Sequence, residues 1–98
     1  MNVVVRAMGP SLANFGVPNA LQDPMLEIHD QNGATLASND NWATDPNAVK
    51  VTAAGLAPDD PREAALYLTI TASQNYTAIV RGSNNTTGVA LVEVYHVK

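Results

Sequence analysis

Residues 23–42, DPMLEIHDQNGATLASNDNW, decide the fold of this chain. Leu26 and Ile28 lie on one side of an extended backbone and the polar residues beside them on the other, which is the period of a half-solvated strand. The tetrapeptide DQNG at 30–33 contains residues that adopt positive φ at little cost. A second strand-like run, ATLASND at 34–40, follows directly. The stretch therefore predicts an antiparallel hairpin with a tight turn.

Strand patterns recur along the rest of the chain. AALYLTIT at 64–71 alternates in the same way, and NVVV at 2–5 is a β-branched run with valines on both sides. YTAIVRG at 76–82 and GVALVEVYHVK at 88–98 are separated by the polar loop SNNTT at 83–87, and this spacing predicts a second hairpin. Together these patterns predict an all-β fold, an antiparallel β-sandwich of jelly-roll or immunoglobulin-like type with about six to eight strands and little helix.

Only one short helical segment is predicted. Asp60 is suited to be an N-cap and Pro61 to be the first helical residue, so a single turn is expected at 61–65. Pro46 and Pro58 block regular ladders and mark loops between the two predicted hairpins.

The composition limits the classes of function. The 98 residues, of which 46% are hydrophobic, predict one β-sandwich domain spanning 1–98 with a single core. There is no cysteine, which excludes disulfides and thiolate chemistry. A net charge of −4, with only five scattered Lys and Arg residues, provides no basic patch, so no nucleic-acid partner is expected. No run approaches the roughly 20 apolar residues that a membrane span requires.

Features of the chain also bear on its location. A composition poor in lysine and rich in Asn, Thr and Ala is typical of exported bacterial domains, so an extracellular or cell-surface location is expected. The N-terminus lacks the order of a signal peptide, and we expect either a processed mature chain or a piece of a longer protein.

The last predicted strand carries apolar residues on both faces. Ala90, Val92 and Val94 fall on one side, and a second set falls on the other, interrupted only by a glutamate. Together with an isoleucine of the adjacent run, the second set forms a predicted protein interface: Val89, Leu91, Tyr95, Val97 and Ile79. The expected partners are copies of the same chain or neighbouring repeats. The alternative is internal cover by the loop SLANFGVP at 11–18, whose apolar residues lack any periodicity: Leu12, Phe15 and Val17.

Residues that could support catalysis are sparse. His29 falls on the solvent side of a strand and His96 lies close to the chain end, and neither is flanked by a triad-like arrangement. Ser11 lies in GPSLANFG, which lacks the spacing of a nucleophile elbow, so it is read as a turn residue. No enzymatic activity is therefore expected.

Calcium is the one cofactor that the sequence suggests, because hard cations such as Ca²⁺ bind several oxygen ligands from loops. Oxygen-bearing side chains concentrate within and after the first hairpin, and the predicted metal ligands are Asp30, Asn32, Asn39, Asp40 and Asp45. They would surround one ion if residues 39–45 folded back over the paired strands. Ile28 occupies a position where an EF-hand needs an oxygen ligand, which excludes that motif. The alternative is that these residues simply form turns.

Trp42, the only tryptophan, has three interpretations. It anchors the core, stacks on a sugar ring as a ligand aromatic, or contributes to an interface. Packing in the core or at its edge is favoured, because one exposed aromatic residue without partners is a weak sugar platform.

Three segments carry a resemblance to known families. VVVRAMGPSLANFGV, LASNDNW and GVALVEVY together resemble an uncharacterised RAxGPSL/LVEVY repeat domain of large bacterial secreted or surface proteins, over nearly the whole chain. Residues 23–92 are also similar to bacterial pre-peptidase C-terminal domains, which are calcium-associated β-sandwich modules of secreted proteases. The resemblance implies an extracellular sandwich that adheres or assembles, as a self-assembling subunit of a surface fibre or an adhesin repeat. The alternative it implies is a calcium-associated or carbohydrate- or matrix-binding module, with Asn39 and Asp40 near the calcium loops.

Arg6 lies within the distinctive RAMGPSL segment. We expect its guanidinium to tie the following turn to a carboxylate by bidentate pairing, and the candidate partners are Glu27, Glu63 and Glu93.

Overall fold

The computed structural model describes residues 1–97 and confirms an antiparallel β-sandwich with little helix. Its six strands are β1 (Asn2–Met8), β2 (Pro24–His29), β3 (Thr35–Asn39), β4 (Ala64–Thr69), β5 (Thr77–Gly82) and β6 (Leu91–Val97). They form two three-stranded sheets with the orders β4-β1-β6 and β3-β2-β5. One short helix, α1 (Ala48–Ala53), and three short 3-10 helices complete the secondary structure of these residues. No helix within 1–97 is long and apolar enough to cross a membrane.

The first predicted hairpin is confirmed. β2 pairs antiparallel with β3, with Leu26 opposite Asn39 and a register shift at the end of β2. The turn is closed by Asp30, whose Oδ1 accepts the backbone N–H groups of Asn32 and Ala34 at 2.9 and 3.0 Å. Gly33 adopts φ 85°, a left-handed conformation that glycine reaches without a Cβ clash. Local turn chemistry therefore explains this hairpin.

The main core lies between the sheets. It is built from inward-facing residues of the three strands β1, β2 and β4: Val3, Val5, Ala7, Leu26, Ile28, Ala64 and Leu66. A second cluster lies on the other face of β1, where Val4 and Ala65 pack with Val51 of α1. β1 is thus buried on both faces, which explains why its valines do not alternate with polar residues.

The second predicted hairpin is wrong, because β5 and β6 belong to different sheets. After β5 the chain turns through Asn84 and Asn85, both left-handed at φ 56° and 60°. Val89 then exchanges backbone hydrogen bonds of 2.8 Å with residues of an early loop, accepting from Leu21 and donating to Asn19. These long-range bonds carry the chain across to the first sheet, where β6 pairs with β1 instead of β5.

The predicted helical turn at 61–65 is also wrong. Ala64 and Ala65 begin β4, because both side chains are fully buried in the two core clusters. The helix lies earlier, as α1, and packs a single buried residue, Val51, against the sheet. Its end at Gly55, with φ 75°, has the left-handed conformation common after a helix.

Candidate interaction surface

The pairing of β6 with β1 shows which residues of β6 share a face. Val94 lies opposite Val5 of the main core, so it points to the inner side of the sandwich. Tyr95 lies opposite Val4 of the second cluster, so it points to the outer side. By alternation Leu91 and Val97 join Tyr95 on the outer face, as the sequence predicted.

Both faces of β6 expose apolar side chains. On the outer face Leu91 is 45% exposed, and Val89, just before the strand, is 48% exposed. On the inner face Val92 is 41% and Val94 63% exposed. Tyr95 and Val97 are half-buried on the outer face. β6 therefore leaves more apolar surface uncovered than any core strand does.

Ile79 does not join the other predicted interface residues. It lies on β5 of the second sheet, directly opposite Glu27, whose neighbours Leu26 and Ile28 point into the core. Ile79 therefore points to the outer face of the second sheet. Its assignment beside Leu91 followed from the second hairpin, which is not formed.

The loop at 11–18 does not cover the outer face of β6. Its first part belongs to a 3-10 turn, Pro10–Phe15, that begins immediately after β1. Phe15 is 81% exposed, whereas Leu12 and Val17 are half-buried. Instead of sealing Leu91, the turn adds an exposed aromatic ring to a groove lined by Arg6, Met8, Ser11, Leu12, Phe15, Asp59, Leu91 and Glu93.

A charged network forms part of this groove. Arg6 donates from Nε and Nη2 to the same oxygen, Oε1 of Glu93, at 3.1 and 2.7 Å. It also donates to the Tyr95 hydroxyl and to the carbonyl of Leu56. Burial opposes the charge on Arg6, but Glu93 outweighs that effect and raises the guanidinium pKa above its ordinary value. Glu93 is therefore the partner among the three candidates, although the contact uses one oxygen and is not bidentate.

The turn after β1 is held by a different carboxylate. Glu63 is fully buried, and its Oε2 accepts the backbone N–H groups of Gly9 and Ser11 at 2.8 and 3.0 Å and the Ser11 hydroxyl at 2.5 Å. Its other oxygen accepts the N–H of Asp60 at 3.3 Å. Ser11 is thus a turn residue, as predicted, and Glu63 rather than Arg6 ties the turn down.

The five predicted calcium ligands do not form one site. Asp30 and Asn32 lie in the turn at one end of β3, and Asn39 and Asp40 lie at the other end, roughly 13 Å away at about 3.3 Å per residue. Each of the carboxylates accepts hydrogen bonds from nearby protein groups, as Asp45 does from the N–H of Asn47 at 2.9 Å. Within residues 1–97 no group of three or more His, Cys, Asp or Glu side chains is placed to hold a metal ion. Asp30 and Asp45 accept backbone N–H groups within turns, and Asp40 accepts the Ser83 hydroxyl.

Trp42 is a packing residue. It is partly buried against the cluster of Val4, Val51 and Ala65, and its Nε1 is buried. Its backbone N–H donates to the carbonyl of Glu63 at 2.9 Å. The ring is therefore not displayed as a flat platform for a sugar.

The two histidines lie on strands of different sheets. His29 ends β2, with Nδ1 3.2 Å from the carbonyl of Gly33 and Nε2 3.2 Å from a carboxylate oxygen of Glu27. His96 lies on β6, opposite Val3 in the register with β1, and is exposed. The two rings are therefore on different sheets and do not make a common acid–base pair.

Sequence reasoning missed a pair of carboxylates. Asp23 precedes β2 and Asp40 follows β3, so the hairpin brings them together, and Ser83 contacts both residues. Burial, and then the hydrogen bond and charge of Asp40, raise the pKa of Asp23. This pairing depends on the register of the hairpin. In the sequence, Asp23 is recognisable only as the residue before a proline.

No family model, no curated protein and no solved structure matches this chain. Its function must therefore be inferred from the surface of the molecule.

Proposed function

We propose that this chain is a non-catalytic β-sandwich module that works by protein association. In this proposal it is a self-assembling subunit of a surface fibre or an adhesin repeat, located outside a bacterial cell. The single observation that carries the proposal is that β6 exposes apolar side chains on both of its faces, with Leu91 and Val94 as the clearest cases.

On the outer face of β6, two of the exposed side chains lie close enough to act together. Leu91 shares its groove with Phe15, the most exposed large apolar side chain on this side of the sheet. Burial of apolar surface contributes about 25 cal/mol per Å², so a few hundred Å² would contribute several kcal/mol before association costs are subtracted. Monomeric proteins rarely leave contiguous apolar patches larger than a few hundred Å² uncovered.

Polar groups in the groove favour a protein partner over a purely apolar ligand. The pair formed by Arg6 and Glu93, together with Tyr95, forms a charged and hydrogen-bonding rim beside the exposed apolar residues. An apolar centre with a polar rim that contains Arg and Tyr is typical of protein interfaces. The composition and the resemblance to bacterial surface repeats support the extracellular location.

Light scattering over a micromolar to millimolar concentration series tests the proposal. We expect the wild-type mass to rise with concentration, and the double variant L91K/V94K to remain monomeric. V49K is the control for an added lysine, because Val49 lies on α1, is 79% exposed and receives the same Val-to-Lys change as Val94. A wild-type mass that stays monomeric throughout, or a V49K variant as defective as the double variant, would contradict the proposal.

A further inference from the structure

The two sheets are open on the same side of the sandwich. β4 packs against β3, and both are edge strands, so they lie at one side of the molecule. The sheet orders then place β5 and β6 together at the opposite side, each as an edge strand. An edge strand presents a row of backbone N–H and C=O groups that have no partner within the sheet.

The closed side shows how this protein protects an edge. Beside β4, the Asn39 side chain accepts the N–H of Ala65 at 3.1 Å, and the Asn47 side chain donates to the carbonyl of Tyr67 at 3.4 Å. Helix α1 packs against the same strand. Within residues 1–97, no side chain makes a hydrogen bond to the backbone of β5 or β6. Neither strand contains the proline or lysine that commonly protects edges.

The inner face of β6 also lacks cover. Val94 is 63% exposed although its cross-strand neighbour Val5 is only 4% exposed. Between the sheets at this side lies a cavity of about 310 Å³, whose apolar lining includes Val3, Val5, Ile28, Leu68, Ile70, Ala78 and Val94. If both sheets continued beyond β5 and β6, this cavity would be closed and Val94 would be covered.

We propose that a second copy of this chain supplies the missing cover by pairing edge to edge. β5 would pair with β5 of the other copy and β6 with β6, across a twofold axis nearly perpendicular to the sheets. A twofold axis makes each strand antiparallel to its copy, and the result is two continuous six-stranded sheets. This inference rests on the proposed association function and names both its partner and its surface.

Charge and area both favour a second copy. The fixed charges of the two strands are paired within the chain, Arg81 with Glu27 at 2.9 Å and Glu93 with Arg6 at 2.7 Å. Two identical edges can therefore approach without bringing unpaired charges of the same sign together. Each strand is about 20 Å long at about 3.3 Å per residue, and the sheets stack about 10 Å apart. With side chains included, the edge is a strip on the order of 20 by 20 Å, whose accessible area is of the same order as the roughly 800 Å² per partner of a standard interface.

Sedimentation equilibrium of single variants tests the inference. We expect a wild-type dimer, and V94K should weaken dimerisation by about tenfold or more because it places a charge in the closed interface. L91K changes the outer face and should keep the dimer while reducing larger species. V49K is again the control of equal charge.

Hydrogen exchange at low and high protein concentration locates the contact. The amides of β5 and β6 should become protected as the dimer forms, whereas those of β3 and β4 should not change. Association that survives V94K and fails in L91K would overturn edge pairing while leaving the proposed function intact. A strictly monomeric wild type would overturn both, and protection of β5 and β6 in a monomer would overturn the choice of a second copy.

Discussion

Glu63 is the residue on which the turn after β1 depends. Its buried Oε2 accepts three hydrogen bonds from Gly9 and Ser11. Because these bonds are buried, water cannot replace the carboxylate oxygen as their acceptor. In E63Q only one oxygen remains, so either the donors of Gly9 and Ser11 or the N–H of Asp60 faces an NH2 group, and the charge that strengthens these hydrogen bonds is lost. We expect a loss of about 1–3 kcal/mol in the free energy of unfolding, the usual cost of leaving a buried donor without a partner.

Urea denaturation measures this loss. The matched control is D59N, which makes the same chemical change at an exposed position four residues earlier in the chain. Equal unfolding midpoints for E63Q and D59N would show that the buried carboxylate does not support the turn.

Asp23 makes the stability of the folded protein depend on pH, and the direction of this dependence follows from its raised pKa. Because burial and the neighbouring Asp40 raise its pKa in the folded state above the ordinary value of 3.8, the folded protein holds this proton more tightly than the unfolded chain. The protonated carboxyl therefore contributes to the stability of the fold below the unfolded pKa, and this contribution is lost as the pH rises through the folded pKa. D23N removes the dependence, because an amide donates to Asp40 at every pH.

We therefore expect D23N to melt at a higher temperature than wild type at neutral pH, with the difference vanishing below the unfolded pKa of the carboxyl. The difference between the two melting curves is the readout, since Arg62 lowers the pKa of Asp60 and makes wild-type stability fall in acid independently. A D23N advantage that is constant with pH would show that repulsion by Asp40 is not its cause.

At the scale of elements, a local turn could be predicted and a long-range connection could not. The hairpin of β2 and β3 follows from residues 30–33 alone. The connection from β5 to β6 has the spacing and polarity of a hairpin, but Val89 bonds to Asn19 and Leu21, about seventy residues earlier in the chain. Gly88 fits here because a Cβ on it would lie 2.6 Å from the backbone nitrogen of Leu21. Nothing near it in the sequence shows that contact.

The same distinction applies to the candidate surface. Alternation alone correctly placed Leu91, Tyr95 and Val97 on one face of β6. It could not show that Ile79 lies on another sheet, that Phe15 is exposed, or that Glu63 holds the turn after β1, because these facts depend on which distant strands pair.

The pair formed by Arg6 and Glu93 joins β1 to β6. Arg6 makes hydrogen bonds to the Glu93 carboxylate, the Tyr95 hydroxyl and the Leu56 carbonyl, and lysine cannot reproduce this planar arrangement of donors. We expect R6K to lower the free energy of unfolding by about 1–3 kcal/mol, measured by urea denaturation. R81K is the control, because Arg81 is largely exposed and makes one contact, so it should change stability by less than about 0.5 kcal/mol. An R6K variant as stable as R81K would contradict this account.

At the scale of the whole molecule, burial decreases from the centre of each sheet to the β5 and β6 side. Val3, Val4 and Val5 of β1 are at most 4% exposed, whereas β6, its neighbour in the same sheet, contains Val94 at 63%. The strands that carry the core are thus distinct from the strands that carry the proposed interface. The fold can lose contacts at the interface without losing its core.

Native-state hydrogen exchange in dilute solution tests this separation. Amides in β1 and β2 that bond to neighbouring strands should exchange only through global unfolding, because both strands are central in their sheets. Amides in β6 that bond to β1 should open at a lower free energy, since one edge and much of the inner face of β6 are uncovered. The V94K variant in dilute solution should show the same order of opening free energies, because Val94 contributes little to the core of the monomer. Equal opening free energies in β1 and β6 would show that the sandwich unfolds as one unit, and would place the interface strands inside the core.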